Sequence, residues 1–200
     1  MNEAKAELRQ KMRERVKQCA MTGGDTSRQF LQSIYAIPGI EGTDTVFAFF
    51  PYAGEPDITP AISRMIDEGR TVAVPRITGE DLTFHAINSV TGDFLPGAFG
   101  IPEPDSSWPT LFPEQSHLIR FPAVILMPGL AFSREGSRLG RGRGYYDRFL
   151  SDFLSHFAER RREITLAGVC WEAQIIEDIP VESHDIRVNC LCTEKNCILI

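Results

Sequence analysis

The chain has 200 residues, 42% of them hydrophobic and 24% charged, with a net charge of −6. That length suits one domain with a real core, and the composition excludes disorder and low complexity. The acidic balance argues against general attraction to nucleic acid or anionic lipid, and no apolar run approaches the roughly 20 residues of a membrane span.

The opening residues, MNEAKAELRQKM, are charged and carry no apolar signal-peptide stretch, so a cytoplasmic protein is expected. Residues 3–20 read as an amphipathic helix with Leu8, Met12, Val16 and Cys19 on one face and Lys and Arg opposite. Gly23-Gly24-Asp25 ends it, and a second helix is expected over 26–36. Thr45–Phe50 is a continuous apolar run, read as a buried strand closed by Pro51. Thr59 as N-cap, Pro60 and Gly69 bracket the next helix. Thr71–Val74 reads as a strand stopped by Pro75, and 82–87 as a weakly alternating strand. Residues 92–117 are rich in Pro and Gly and read as irregular.

Ala123–Met127 is the clearest strand. A Gly-rich loop follows, then a helix over 144–160, a strand at Leu166–Cys170 and a short helix at 173–177. A strand at Val188–Thr193 and an edge strand at Cys197–Ile200 close the chain. The five cysteines are an odd count without zinc-type spacing. Cys190 and Cys192 read as one face of a strand, and buried reduced thiols are the expected state. Wholly apolar strands separated by helices imply a single-domain α/β fold: three α/β/α layers around a mostly parallel, Rossmann-like sheet. Ligands in such sheets bind beyond the carboxyl ends of the strands. That expectation puts Pro51–Glu55, Pro75–Arg76 and Pro128–Gly144 on one rim.

The informative segment runs from Met127 to Asp147. Gly140, Gly142 and Gly144 alternate with Arg141 and Arg143, which lets backbone N–H groups turn toward one point as an anion-binding nest. The helix starting near Gly144 adds its positive end, and Arg138 adds a further donor. Across 134–148 five arginines face only Glu135 and Asp147, a cationic loop in an acidic chain. The spacing is neither a dinucleotide fingerprint nor a Walker A loop. A phosphate site and a solvated Arg/Gly loop are the competing readings.

Asp147, one turn into that helix, suits a magnesium ligand beside phosphates or a simple partner for the helix dipole. Asp185 is a second carboxylate near the last strands, otherwise a surface-loop acid. Lys5 and Arg9 are like charges at i, i+4, a repulsion an anionic ligand would relieve; a solvated basic face is the plainer reading. Glu55, at the end of a buried strand, could accept two N–H groups of an aminopyrimidine ring, with Tyr52 or Phe99 stacking on it. An exposed loop carboxylate competes with that reading.

Together these residues resemble the 5-formyltetrahydrofolate cyclo-ligase (methenyltetrahydrofolate synthetase) family almost end to end. The resemblance rests on Lys5–Arg9, the Glu55 segment, 69–76 and 97–104. Its most specific part is Met-Pro-Gly-Leu-Ala-Phe at 127–132 with Arg-Leu-Gly-Arg-Gly-Arg-Gly-Tyr-Tyr-Asp at 138–147. The His184-Asp185 region matches as well. Ser133 stands where the family often has Asp, and Asn189 where a second acid is common.

The resemblance implies an ATP- and Mg²⁺-dependent ligase that closes 5-formyltetrahydrofolate to 5,10-methenyltetrahydrofolate and releases ADP and phosphate. It implies ATP contacts from Lys5, Arg9, Arg138, Leu139, Gly140, Arg141, Gly142, Arg143, Gly144, Tyr145 and Tyr146. Asp147 and Asp185 would hold the metal, and Glu55, Tyr52 and Phe99 the folate. Arg138, Arg141 and Arg143 suit the catalytic task of stabilising charge on a moving phosphoryl group. No protein nucleophile is needed, and no Ser elbow, catalytic Cys motif or His cluster is present. The stretch 92–117 could then cover the folate. A monomer without nucleic-acid or membrane partners is expected. Sugar-phosphate isomerases, acyl-CoA transferases, non-catalytic ligand sensors and RNA-binding modules are the other readings.

Overall fold

The structure, a computed structural model, describes residues 2–182 and 185–200. Helix α1 (Asn2–Thr22) and helix α2 (Ser27–Tyr35) open the chain. Strand β1 (Thr45–Phe47), helix α3 (Thr59–Asp67) and strand β2 (Thr71–Thr78) form a first β–α–β unit. Strand β3 (Asp81–Ile87) follows, then β4 (Leu95–Pro96), β5 (Pro102–Glu103) and β6 (Thr110–Phe112). Strand β7 (Ala123–Met127) leads through the hairpin β8 (Ala131–Phe132) and β9 (Arg138–Leu139) to helix α4 (Tyr145–His156). Strands β10 (Ile164–Val169), β11 (Cys190–Cys192) and β12 (Cys197–Leu199) complete the order.

The main sheet runs β12-β11-β10-β7-β1-β2-β3-β6. The five central strands, β11 to β2, pair in parallel, while β12 and β3 pair antiparallel to their neighbours. Side chains alternate between the two faces, as the two-residue period of a strand requires. Val46, Val72, Val124 and Leu126 meet Phe30 and Ile34 of α2 and Ile62 and Met65 of α3 on one face. Phe47, Ile125 and Leu166 meet Phe149, Leu150 and Phe153 of α4 on the other. The three-layer α/β/α expectation holds. Helix α1 lies apart from both layers, setting Met12 and Val16 on Leu130, Leu139 and Ile179.

The two crossovers fix where a ligand can enter. The chain leaves β1 through α3 toward β2, and leaves β7 through α4 toward β10 on the opposite face and in the opposite direction. The crevice between the carboxyl ends of β1 and β7 is therefore the point where strand order reverses.

Several boundaries differ from the sequence expectation. The apolar run Thr45–Phe50 is a strand only to Phe47, although Ala48 still donates to the Ala73 carbonyl at 2.8 Å. Pro75 does not stop β2, which continues to Thr78 and pairs Pro75 with Phe84. In parallel register the next donor to β1 would be residue 75, and proline has no N–H. The β1–β2 ladder therefore ends while the β3 side of the strand is untouched.

Thr59 lies inside α3 and the cap position is Ile58; the Asp57 carboxylate accepts the Thr59 N–H at 2.9 Å. Helix α4 ends at His156 and gives way to 3-10 turns at Ala158–Glu163, and the expected helix at 173–177 is a single 3-10 turn at Glu172–Gln174. The stretch 92–117 is not wholly irregular, since β4 and β5 form a two-stranded ribbon and β6 joins the sheet edge. Among the described residues no helix is long and apolar enough to cross a membrane.

The face under α4 is an aromatic cluster. The Phe47 ring lies 5.2 Å from Phe84, 5.8 Å from Phe149 and 5.0 Å from Phe153. We expect Phe47→Ala to cost about 3–5 kcal/mol of stability in urea unfolding, because a central cavity cannot collapse among the three remaining rings. A loss under about 1 kcal/mol would show that this cluster does not hold the sheet to α4.

Candidate active site

The chain after β1 turns sharply at Tyr52–Glu55, where Ala53 and Gly54 both have positive φ, 48° and 87°. Gly54 is required twice over. Its backbone is left-handed, and a Cβ there would lie 3.1 Å from the Val16 carbonyl of α1 and 3.3 Å from Ala20. The Trp171 indole donates to the Gly54 carbonyl at 2.8 Å and fixes the turn from the far side. This delivers Glu55 into the crevice as a buried carboxylate, not an exposed loop acid.

After β7 the chain forms the β8–β9 hairpin, and Arg138 starts β9 beneath the crevice. Its side chain is only 5% exposed and bonds Asp147 at 2.5 Å. Its Nη1 approaches the Pro128 carbonyl at 3.4 Å, and its Nε is buried without a partner among the described residues. Gly142 and Gly144 adopt φ of 102° and 70°, and Gly144 caps α4. The Arg9 guanidinium sits against Gly142, where a Cβ would meet it at 3.3 Å, and Arg9 Nε donates to the Gly140 carbonyl at 3.1 Å. The loop is thus held against α1 through Arg9, while Gly142 and Arg143 stay exposed.

Arg141 ties the two halves together. Its Nε and Nη2 both donate to Glu55 Oε1, at 3.0 and 2.8 Å, and Nη2 also reaches the Tyr52 carbonyl at 3.1 Å. Glu55 Oε2 accepts the Tyr52 N–H at 3.0 Å, and the guanidinium lies 4.7 Å from the Tyr52 ring centre. Burial pushes the Glu55 carboxyl above its usual range, with Arg141 pulling the other way.

On α1, Lys5 is buried and bonds Asp185 at 3.0 Å and Glu182 at 3.2 Å. The like-charge conflict with Arg9 is resolved by these separate partners. His184, matched beside Asp185, lies outside the described residues.

All the residues singled out from the sequence line one cleft of about 580 Å³: Lys5, Arg9, Tyr52, Glu55, Phe99, Arg138 through Asp147, and Asp185. The Phe99 ring is 57% exposed at the mouth, in a left-handed conformation (φ 63°), with its centre 5.7 Å from that of Tyr52. Burial lifts the Tyr146 hydroxyl well above its usual range, and it has no hydrogen-bond partner among the described residues.

Sequence reasoning missed Arg13, Glu103 and Glu182. Arg13 extends the Lys5–Arg9 stripe by another four residues, a signal that was available. Glu103 is buried, accepts the Ala98 N–H at 3.2 Å, and holds the turn that carries Phe99. Nothing in the sequence singles it out. The two family departures have structural uses. The Ser133 hydroxyl accepts the Glu135 and Ser137 N–H groups, each at 3.2 Å, and Asn189 Oδ1 accepts the Leu166 N–H at 2.8 Å.

Residues 1–194 match the model of the 5-formyltetrahydrofolate cyclo-ligase family. The chain is 31% identical over 160 residues to the 5-formyltetrahydrofolate cyclo-ligase of Mycolicibacterium smegmatis, covering 78% of this chain and 76% of that one. It is 26% identical to the mouse enzyme of the same name, covering 94% and 93%. Among solved structures it is similar to the 5,10-methenyltetrahydrofolate synthetase of Aquifex aeolicus, with a TM-score of 0.76, 30% identity and coverage of 98% and 92%. The synthetase of Mycoplasma pneumoniae shares the fold at a TM-score of 0.62 and 16% identity. A cleft at the strand-order reversal and a match over nearly the whole chain lead to one conclusion: this chain is an enzyme of the 5-formyltetrahydrofolate cyclo-ligase family, which converts 5-formyltetrahydrofolate into 5,10-methenyltetrahydrofolate.

Proposed function

We propose that this chain drives the cyclisation with ATP and Mg²⁺, by transferring the γ-phosphoryl group to the formyl oxygen. The observation that carries this reading is the single cleft in which a cationic glycine loop and a buried carboxylate are joined through Arg141. A formamide oxygen is a poor leaving group, and a phosphate is a good one. The bond from the γ-phosphorus to ADP breaks as the bond to the formyl oxygen forms. N10 of the folate then attacks the formyl carbon and loses its proton, and phosphate departs with the former formyl oxygen.

The residues present fit both partners of that reaction. Six cationic side chains line the cleft (Lys5, Arg9, Arg13, Arg138, Arg141 and Arg143). The unpartnered Arg138 Nε and Tyr146 hydroxyl are buried polar atoms that a ligand would satisfy. Lys5, Arg9 and the loop 138–146 bind the triphosphate through charge and through the N–H groups at the start of α4. Asp147 and Asp185 are hard oxygen donors suited to Mg²⁺, which when bound neutralises phosphate oxygens. Glu55 accepts two N–H groups of the pterin, and Tyr52 and Phe99 flank it.

Four outcomes test the reading. Mixing protein, 5-formyltetrahydrofolate and MgATP should raise near-ultraviolet absorbance as the conjugated methenyl product forms; a rise without ATP would contradict it. Arg138→Ala and Asp147→Ala should each lower turnover by about tenfold or more, with the fold retained by circular dichroism, because Arg138 offsets phosphoryl charge and Asp147 would hold the Mg²⁺ that does the same. Near-normal turnover in both would remove the assignment. Glu55→Gln should raise KM for the folate more than KM for ATP, and equal shifts would argue against a pterin role. The raised carboxyl of Glu55 fixes a sign for pH. Its accepting, ionised form is lost as pH falls through a value above the ordinary carboxylate range, so folate KM should climb in that window. The climb should flatten in Glu55→Gln, and a climb of the same size in the variant would assign it to another group.

A further inference from the structure

Three of the five cysteines converge at the far end of the sheet. The Sγ atoms of Cys190, Cys192 and Cys197 all lie within 4.8 Å of one another. None lines the cleft, and the reaction proposed above does not use them. The hairpin β11–β12 brings them together. Cys192 faces Cys197 directly, and Cys190 is two residues back on the same strand. Pairs in an antiparallel ladder alternate between wide and close. The Thr193 N–H bonds the Asn196 carbonyl at 2.9 Å and the Ile200 N–H bonds the Asn189 carbonyl at 3.0 Å. Counting from either end makes Cys192–Cys197 one of the close pairs.

The chemistry of the cluster is that of a soft-metal site. All the donors are sulfur, and no carboxylate or imidazole joins the group among the described residues. Cys190 and Cys192 are buried and Cys197 is half-buried, so the third thiol offers a way in. All are free thiols. Helix α2 closes the site from above. The Ser33 carbonyl lies 3.7 Å from Cys192 Sγ, and the Ser33 hydroxyl is buried without a hydrogen-bond partner among the described residues. Structural zinc takes four ligands almost without exception, whereas three thiolates complete a trigonal site for a d¹⁰ monovalent ion. We propose that Cys190, Cys192 and Cys197 form a trigonal thiolate site for one Cu(I) ion, which fastens the last hairpin beneath α2.

The test is an anaerobic titration of the reduced full-length protein with Cu(I) held by the chromophoric chelator bicinchoninate. One equivalent of Cu(I) should be withdrawn from the chelator, with sulfur-only coordination in X-ray absorption. Thermal unfolding should move to higher temperature, because the three thiols assembled by the hairpin hold the ion more tightly than the same thiols in the unfolded chain. Cys197→Ser, at a half-buried position, should weaken uptake by about tenfold or more. Cys170→Ala, on the opposite face of the sheet, should leave it unchanged. Uptake no greater than that of a Cys190→Ala/Cys192→Ala/Cys197→Ala variant would overturn the site. So would uptake indifferent to Cys197→Ser. Tighter binding of Zn(II) than of Cu(I) in a parallel competition would overturn the choice of ion.

Discussion

The bond between Arg141 and Glu55 is the interaction on which the cleft depends. It joins residues 86 positions apart, one on the turn after β1 and the other in the glycine loop before α4. Both of its ends are set at the reversal of strand order, where the crossovers diverge to opposite faces and leave a crevice. Losing the arginine would leave a carboxylate buried without a counter-charge, a defect of about 3–5 kcal/mol. Losing the carboxylate would leave the Arg141 guanidinium only the Tyr52 carbonyl on that turn. The pair therefore couples fold to site, and everything at the rim is arranged around it. Gly54 lets α1 approach, Trp171 locks the turn, and Gly142 lets Arg9 cross the loop.

Charge in the cleft follows one pattern. Lys5 is held by Asp185 and Glu182, Arg138 by Asp147, and Arg141 by Glu55. On the proposed reading each pair combines a cation meant for phosphate with a carboxylate meant for metal or pterin. Ligand binding is then an exchange of partners, not the filling of a bare charged pit. Such pairing offsets three of the six cations in the cleft and holds their side chains near where the proposed reading needs them, the preorganisation that phosphoryl transfer requires.

Much of this was legible in the sequence because the signals are local. Alternating Gly and Arg, the strand before them and the helix after them all sit within residues 123–156, so the loop and its placement could be read directly. The stripe Lys5–Arg9 was also visible, though its continuation to Arg13 was passed over. What was not legible depends on distant register. The partnership of Glu55 with Arg141 cannot be inferred from either segment alone. Pro75 was misjudged because its effect depends on which neighbour its missing N–H faces. The cysteine cluster was hidden for the same reason. Cys-x-Cys looks like a strand face until the hairpin register turns Cys197 onto it.

The central claim is that the formyl oxygen becomes a phosphate oxygen. Its most direct test uses 5-formyltetrahydrofolate carrying ¹⁸O in the formyl group, turned over with MgATP, with the released phosphate analysed by mass spectrometry. The account requires the label to appear in inorganic phosphate in step with the methenyl product. Label recovered in water, with unlabelled phosphate, would mean that the oxygen leaves without being phosphorylated and would contradict it.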